Sequence, residues 1–117
     1  MEPENNAKAA TTLNNIACTL HNLNRLTESF EYHKKALSIR IEYLGKEHPE
    51  TVSSLNNIAS NLFNVGKLEE ALEAFINVLN IRKNDTTCCK LKLISAYDNV
   101  GSAYFSLLRF EKSLECF

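Results

Sequence analysis

Leu13-Asn14-Asn15-Ile16-Ala17 returns 42 positions later as Leu55-Asn56-Asn57-Ile58-Ala59. The likeness extends well beyond those five residues. Residues 13–40 and 55–82 are identical at 13 of 28 positions, among them Leu26 with Leu68, Leu37 with Leu79, and Ile39-Arg40 with Ile81-Arg82. A second step of 42 carries Asn57, Ser60, Phe63, Glu69, Leu72, Glu73 and Phe75 onto Asn99, Ser102, Phe105, Glu111, Leu114, Glu115 and Phe117. A fixed period in this range marks a stack of supersecondary units, none of which can bury its apolar face alone.

Inside each unit the apolar spacing is helical. Leu13, Ile16, Ala17 and Leu20 stand at i, i+3, i+4 and i+7, as do Leu55, Ile58, Ala59 and Leu62, and Tyr97, Val100, Gly101 and Tyr104. These stripes predict a first helix, A, in each unit. Leu68, Ala71, Leu72, Phe75 and Leu79, and in the first unit Leu26, Phe30, Leu37, Ile41 and Leu44, predict a second helix, B. Asn24 and Gly66 fall at equivalent points between A and B, where a left-handed residue ends a helix at low steric cost. Gly45 to Pro49 closes the first B helix, and the side chains of Asn84-Asp85-Thr86-Thr87 are expected to cap the helix that follows them.

The reading is therefore all-α: six helices in antiparallel pairs, the last cut short, forming one domain. Repeat 1 covers about 7–44, repeat 2 about 49–83 and a truncated repeat 3 about 87–117. Leu108 stands where the middle unit has Gly66, which predicts a wider turn before Phe110; Ser29 and Ser113 stand where the middle unit has Ala71, and His33 stands where it has Phe75. His33 is read as a repeat-core residue.

Composition narrows the function. With 117 residues, 44% apolar and 23% charged, the chain has the make-up of a soluble globular protein of one domain. A net charge of −1 gives no basic field for phosphate backbones or anionic lipid, so neither nucleic acid nor membrane is expected as a partner. The N-terminus is acidic and lacks an apolar export segment, and Cys18, Cys88, Cys89 and Cys116 have no metal-ligand spacing. A cytoplasmic location with reduced thiols, no cofactor and no metal is the expectation. His21, His33 and His48 form no HExxH pattern, the three glycines form no phosphate loop, and no catalytic residue is assigned.

Small Ala59, then Leu62, Gly66, Ala71 and Phe75 in order resemble a tetratricopeptide repeat. The long period and the phrases Leu-Asn-Asn-Ile-Ala, Lys-Ala-Leu-Ser-Ile-Arg and Leu-Gly-Lys-Glu-His-Pro-Glu-Thr are similar to the repeats of kinesin light chains and nephrocystin-type scaffolds. The resemblance implies antiparallel helix-turn-helix repeats stacked as a right-handed α-solenoid, with A helices lining a concave groove. Its implied function is a protein-interaction scaffold that holds a short peptide or helix of a partner. A regulatory segment of a larger enzyme or signalling protein is the alternative, and an RNA-binding helical repeat is a third reading, disfavoured by repeat length and charge.

Carried over residue by residue, the resemblance puts Asn14, Asn15, Cys18, His21 and Asn22 in the groove from the first repeat. The second contributes Asn56, Asn57, Ser60, Phe63 and Asn64, and the third Asp98, Asn99, Ser102 and Phe105. Periodicity supports the same faces, since these residues remain once the apolar stripe is assigned to the core. Asn within a helix costs about half a kcal/mol relative to Ala, yet the pairs at 14–15 and 56–57, with Asp98-Asn99, recur mid-helix. Two explanations stand open: carboxamides for a ligand backbone, or a ladder between neighbouring repeats. Repeats of this type that hold acidic chaperone tails use Lys and Arg in the groove, whereas this chain has Asn14, Ser95 and Asn99 there. Because Phe117 falls inside a predicted helix, continuation of the array or self-association through its open third repeat is also expected.

Overall fold

The computed structural model describes residues 3–115, with side chains from Lys8 to Arg109. Five α-helices follow in order: α1 Pro3–Asn22, α2 Leu26–Leu44, α3 Pro49–Asn64, α4 Leu68–Asn84 and α5 Lys90–Glu115. Packing runs between sequence neighbours, α1 on α2, α2 on α3, α3 on α4 and α4 on α5, which makes a flat stack of 56 × 35 × 20 Å. The all-α repeat architecture read from the period of 42 is the architecture observed.

The turns repeat as faithfully as the helices. Asn24 takes φ of 63° and Gly66 φ of 88°, both left-handed. After each, a backbone N–H reaches over the turn, Arg25 to the Leu20 carbonyl and Lys67 to the Leu62 carbonyl, at 2.9 Å in both cases. Helix carbonyls left without partners at a C-terminus are thereby satisfied. Pro49 occupies the first turn of α3, and the His48 imidazole accepts the Glu50 N–H at 3.1 Å as its cap.

Two local expectations are corrected. Asp85 does not cap the next helix; its carboxylate accepts the Thr87 N–H at 2.9 Å and the Thr87 hydroxyl at 2.6 Å, and α5 begins only at Lys90. Those bonds hold the Asp85 carboxyl below its usual value. Nor is there a turn at Leu108: α5 continues to Glu115, so the described residues contain five helices rather than six. Leu108-Arg109 offers no residue at ease in a left-handed conformation and consists of two good helix formers. Phe117 and Cys116 lie outside the described residues.

Each A helix in the middle of the stack has two buried faces. One meets its own B helix: Ala59 and Leu62 of α3 cluster with Ala71 and Phe75 of α4. The other meets the preceding B helix, and on α3 it is formed by Ser54, Ile58 and Asn61, all buried. This division explains three departures from the apolar stripes. Ile16 is 39% exposed whereas its equivalent Ile58 is buried, because among the described residues no helix packs on that side of α1. Tyr97, Gly101 and Tyr104 are exposed whereas Leu55, Ala59 and Leu62 are covered, because α5 continues unbroken to Glu115 and among the described residues no helix packs over that side of it. Its buried residues are Ala96 and Ala103, on the side facing α4. In the first B helix, Ile41 is also exposed.

Candidate functional site

Mid-helix asparagines of α1, α3 and α5 lie beside one another because the repeat places the A helices in one wall. Asn57 Nδ2 donates to Asn14 Oδ1 at 3.1 Å, and Asn99 Nδ2 donates to Asn56 Oδ1 at 3.3 Å. The second asparagine of one repeat thus bonds the first asparagine of the repeat before it. These four side chains are half-buried, and the two ends of the row, Asn15 and Asp98, are exposed.

Deeper in the same wall a polar chain crosses from repeat 1 to repeat 2. The Ser29 hydroxyl donates to the Ala17 carbonyl at 2.7 Å and accepts from Asn61 Nδ2 at 3.2 Å. Asn61 Oδ1 is then the acceptor for His21 Nδ1–H at 2.9 Å, and His21 Nε2 accepts from Asn64 Nδ2 at 3.4 Å. His33, 2% exposed, donates from Nδ1 to Asn14 Oδ1 at 3.2 Å. Burial, with added repulsion from His21 and Arg40, lowers the His33 pKa to about 4, so it stays neutral at physiological pH.

Above this layer two adjoining clefts form a trough. One is lined by Cys18, His21, Asn22, His33, Asn57, Ser60 and Asn61. The other is lined by His21, Ser60, Phe63, Asn64, Phe75, Asn99 and Ser102. His21 and Ser60 belong to both and mark the middle. Nine of the sequence-derived groove residues therefore come together here: Cys18, His21, Asn22, Asn57, Ser60, Phe63, Asn64, Asn99 and Ser102. Asn14, Asn15, Asn56, Asp98 and Phe105 line neither cleft.

The two groove aromatics differ. Phe63 is half-buried and packs edge-on against Phe75, with ring centroids 6.5 Å apart. Phe105, its equivalent, is 61% exposed and carries the Arg109 guanidinium 5.7 Å above its ring. A phenyl ring at this position is anchored only where a B helix lies beneath it.

Sequence reasoning missed the residues that join the repeats. Arg40 Nη1 donates to the Glu50 carbonyl at 3.1 Å and to the Ser54 hydroxyl at 2.6 Å, and Arg82 Nη1 donates to the Lys92 carbonyl at 3.2 Å. Arg40 with Glu50 and Arg82 with Lys92 are the same bond one repeat apart. Its signal was present in the recurrence of Ile-Arg at 39–40 and 81–82. Asn61 gave no such signal, since Thr19 and Ala103 occupy its equivalent positions.

Among the described residues, no helix is long and apolar enough to cross a membrane. The tetratricopeptide repeat family model matches residues 8–84. A search of curated proteins gives no significant match.

Proposed function

Since the chain belongs to the tetratricopeptide repeat family, a repeat type that generally mediates protein–protein interaction, we propose that the trough over His21 and Ser60 is its ligand groove and takes an extended peptide of a protein partner. The observation that carries this reading is a continuous line of polar side chains from α1, α3 and α5 with Phe63 set among them. Each ladder bond uses one N–H of Asn57 or Asn99, leaving a second N–H and the amide oxygen to meet a peptide carbonyl and N–H. Ladder and ligand contact are thus compatible: the inter-repeat bond orients the amide that the peptide meets. The half-buried ring of Phe63 supplies an apolar anchor already fixed by Phe75. Groove side chains from Cys18 to Ser102 carry no carboxylate or obligate cation, which favours backbone recognition over pairing with an acidic tail. A few hydrogen bonds with one apolar anchor correspond to a dissociation constant of about micromolar.

The role is that of a non-enzymatic scaffold. Its kinship with kinesin light chain-like repeats and its cytoplasmic location belong to the same proposal. The test is selection of peptides from a random displayed library on the folded chain, followed by Ser60→Trp, which fills the middle of the trough. Selected peptides should lose at least ten-fold in affinity while the melting temperature stays within a few degrees. Peptides that bind the variant unchanged would remove the groove from this reading.

A further inference from the structure

Among the described residues the largest uncovered apolar surface lies away from the groove, on α5. Ile94, Tyr97, Phe105 and Leu108 are 55%, 50%, 61% and 55% exposed, with Gly101 exposed between them. On an α-helix these five positions fall within one stripe about 80° wide. Between Ile94 and Leu108 no charged residue lies in that stripe, and Lys90 stands one turn before it on the same side. At Gly101 an added Cβ would meet nothing within 4 Å.

Two features show what this surface fits. First, Gly101 is the equivalent of Ala17 and Ala59, both fully buried where α1 and α3 meet their own B helices. The register that admits a close helix in repeats 1 and 2 is open in repeat 3, with the smallest possible residue at its centre. Second, the stripe reads the same in both directions from Gly101: an aromatic four residues away on each side, Tyr97 and Phe105, and an aliphatic seven away, Ile94 and Leu108. In an antiparallel pair about a two-fold axis at Gly101, each aromatic would meet an aromatic and each aliphatic an aliphatic on the identical surface.

We infer that α5 is a self-association surface, on which two copies of this chain pair their α5 helices antiparallel with Gly101 at the crossing. In that pairing Ile94 faces the partner's Leu108, Tyr97 faces the partner's Phe105, and the two glycines let the backbones approach closely. Among the described residues no other helix offers a comparable face: the open side of α1 exposes only Ile16 of its large apolar side chains, and the inner sides of α2 and α4 are buried in the stack. Four large side chains make a small interface, so a weak, concentration-dependent dimer is expected. The groove stays open in the dimer, since its lining and the Gly101 stripe lie on different faces.

Sedimentation equilibrium of the full chain over a concentration series tests the idea. A monomer–dimer equilibrium is expected, and Gly101→Glu should raise the dissociation constant at least ten-fold with circular dichroism and melting unchanged. Ile94→Lys and Leu108→Glu supply the second arm. Each variant alone should be monomeric, and an equimolar mixture should recover the dimer, because only antiparallel pairing sets residue 94 against residue 108. A monomer at all concentrations up to about 200 μM, including one in which residues 109–117 fold back over α5, would overturn the inference. So would a dimer indifferent to Gly101→Glu, or a mixture that remains monomeric.

Discussion

The junction between α2 and α3 and the junction between α4 and α5 are the same contact one repeat apart, built from opposite chemistry. At the first, Ser29, His33 and Arg40 meet Ser54 and Asn61, all of them buried. At the second, the equivalent positions hold Ala71, Phe75 and Arg82 against Ala96 and Ala103. Geometry is kept while the hydrogen-bonded layer gives way to close-packed apolar side chains. A helical repeat needs a fixed separation between its helices, and either a bonded polar layer or a small-and-aromatic pair supplies it. Only the polar version ties stability to pH and to complete satisfaction of its bonds.

The largest effect separating the two is cavity formation in the apolar junction. Phe75 is 4% exposed and packs against Phe63, so Phe75→Ala should lose about 3–5 kcal/mol in urea denaturation, with the same loss at pH 7.5 and pH 5. A loss below about 1 kcal/mol would mean that the second junction collapses around the gap and is not a packed layer.

The next effect belongs to the polar junction. His33 has a native pKa of about 4 against 6.5 when unfolded, so below pH 6.5 the unfolded chain binds a proton that the native chain does not. Stability contributed by neutral His33 is full above 6.5, falls by about 2 kcal/mol by pH 5, and levels off below the native value. His33→Phe, which copies Phe75 at this position, should flatten melting temperature over that window. An unchanged pH profile in the variant would place the sensitivity elsewhere.

The smallest effect concerns the bonds themselves. Asn61→Ala removes the partner of both Ser29 Oγ and His21 Nδ1 and should cost about 1–2 kcal/mol. Ser29→Ala added to it reproduces the Ala71 and Ala103 pair, and the double variant should be less destabilised than the sum of the two single variants. Strict additivity in that cycle would show that the two side chains are not coupled across the junction.

Much of this was legible beforehand, and the failures have a common cause. Repeat period, helix spacing, the left-handed turns at Asn24 and Gly66, and the burial of His33 all follow from local pattern, which a sequence carries in full. The core stripe was misjudged at Ile16, Tyr97, Gly101 and Tyr104 because a residue's periodicity says which face it shares but not whether another helix covers that face. Asn61 was missed for the converse reason: its neighbours at equivalent positions are Thr19 and Ala103, and its partners lie 32 and 40 residues away.

Sequence alone determined that this chain is a stack of helical hairpins with a polar wall, because a step of 42 recurs in apolar spacing, turn residues and paired asparagines. Tertiary structure decided which asparagines bond across repeats, which phenyl ring is anchored, and that α5 passes straight through the position of the third turn. Those outcomes depend on which helices lie on either side of a given residue, a property of neighbours in space that no local pattern encodes.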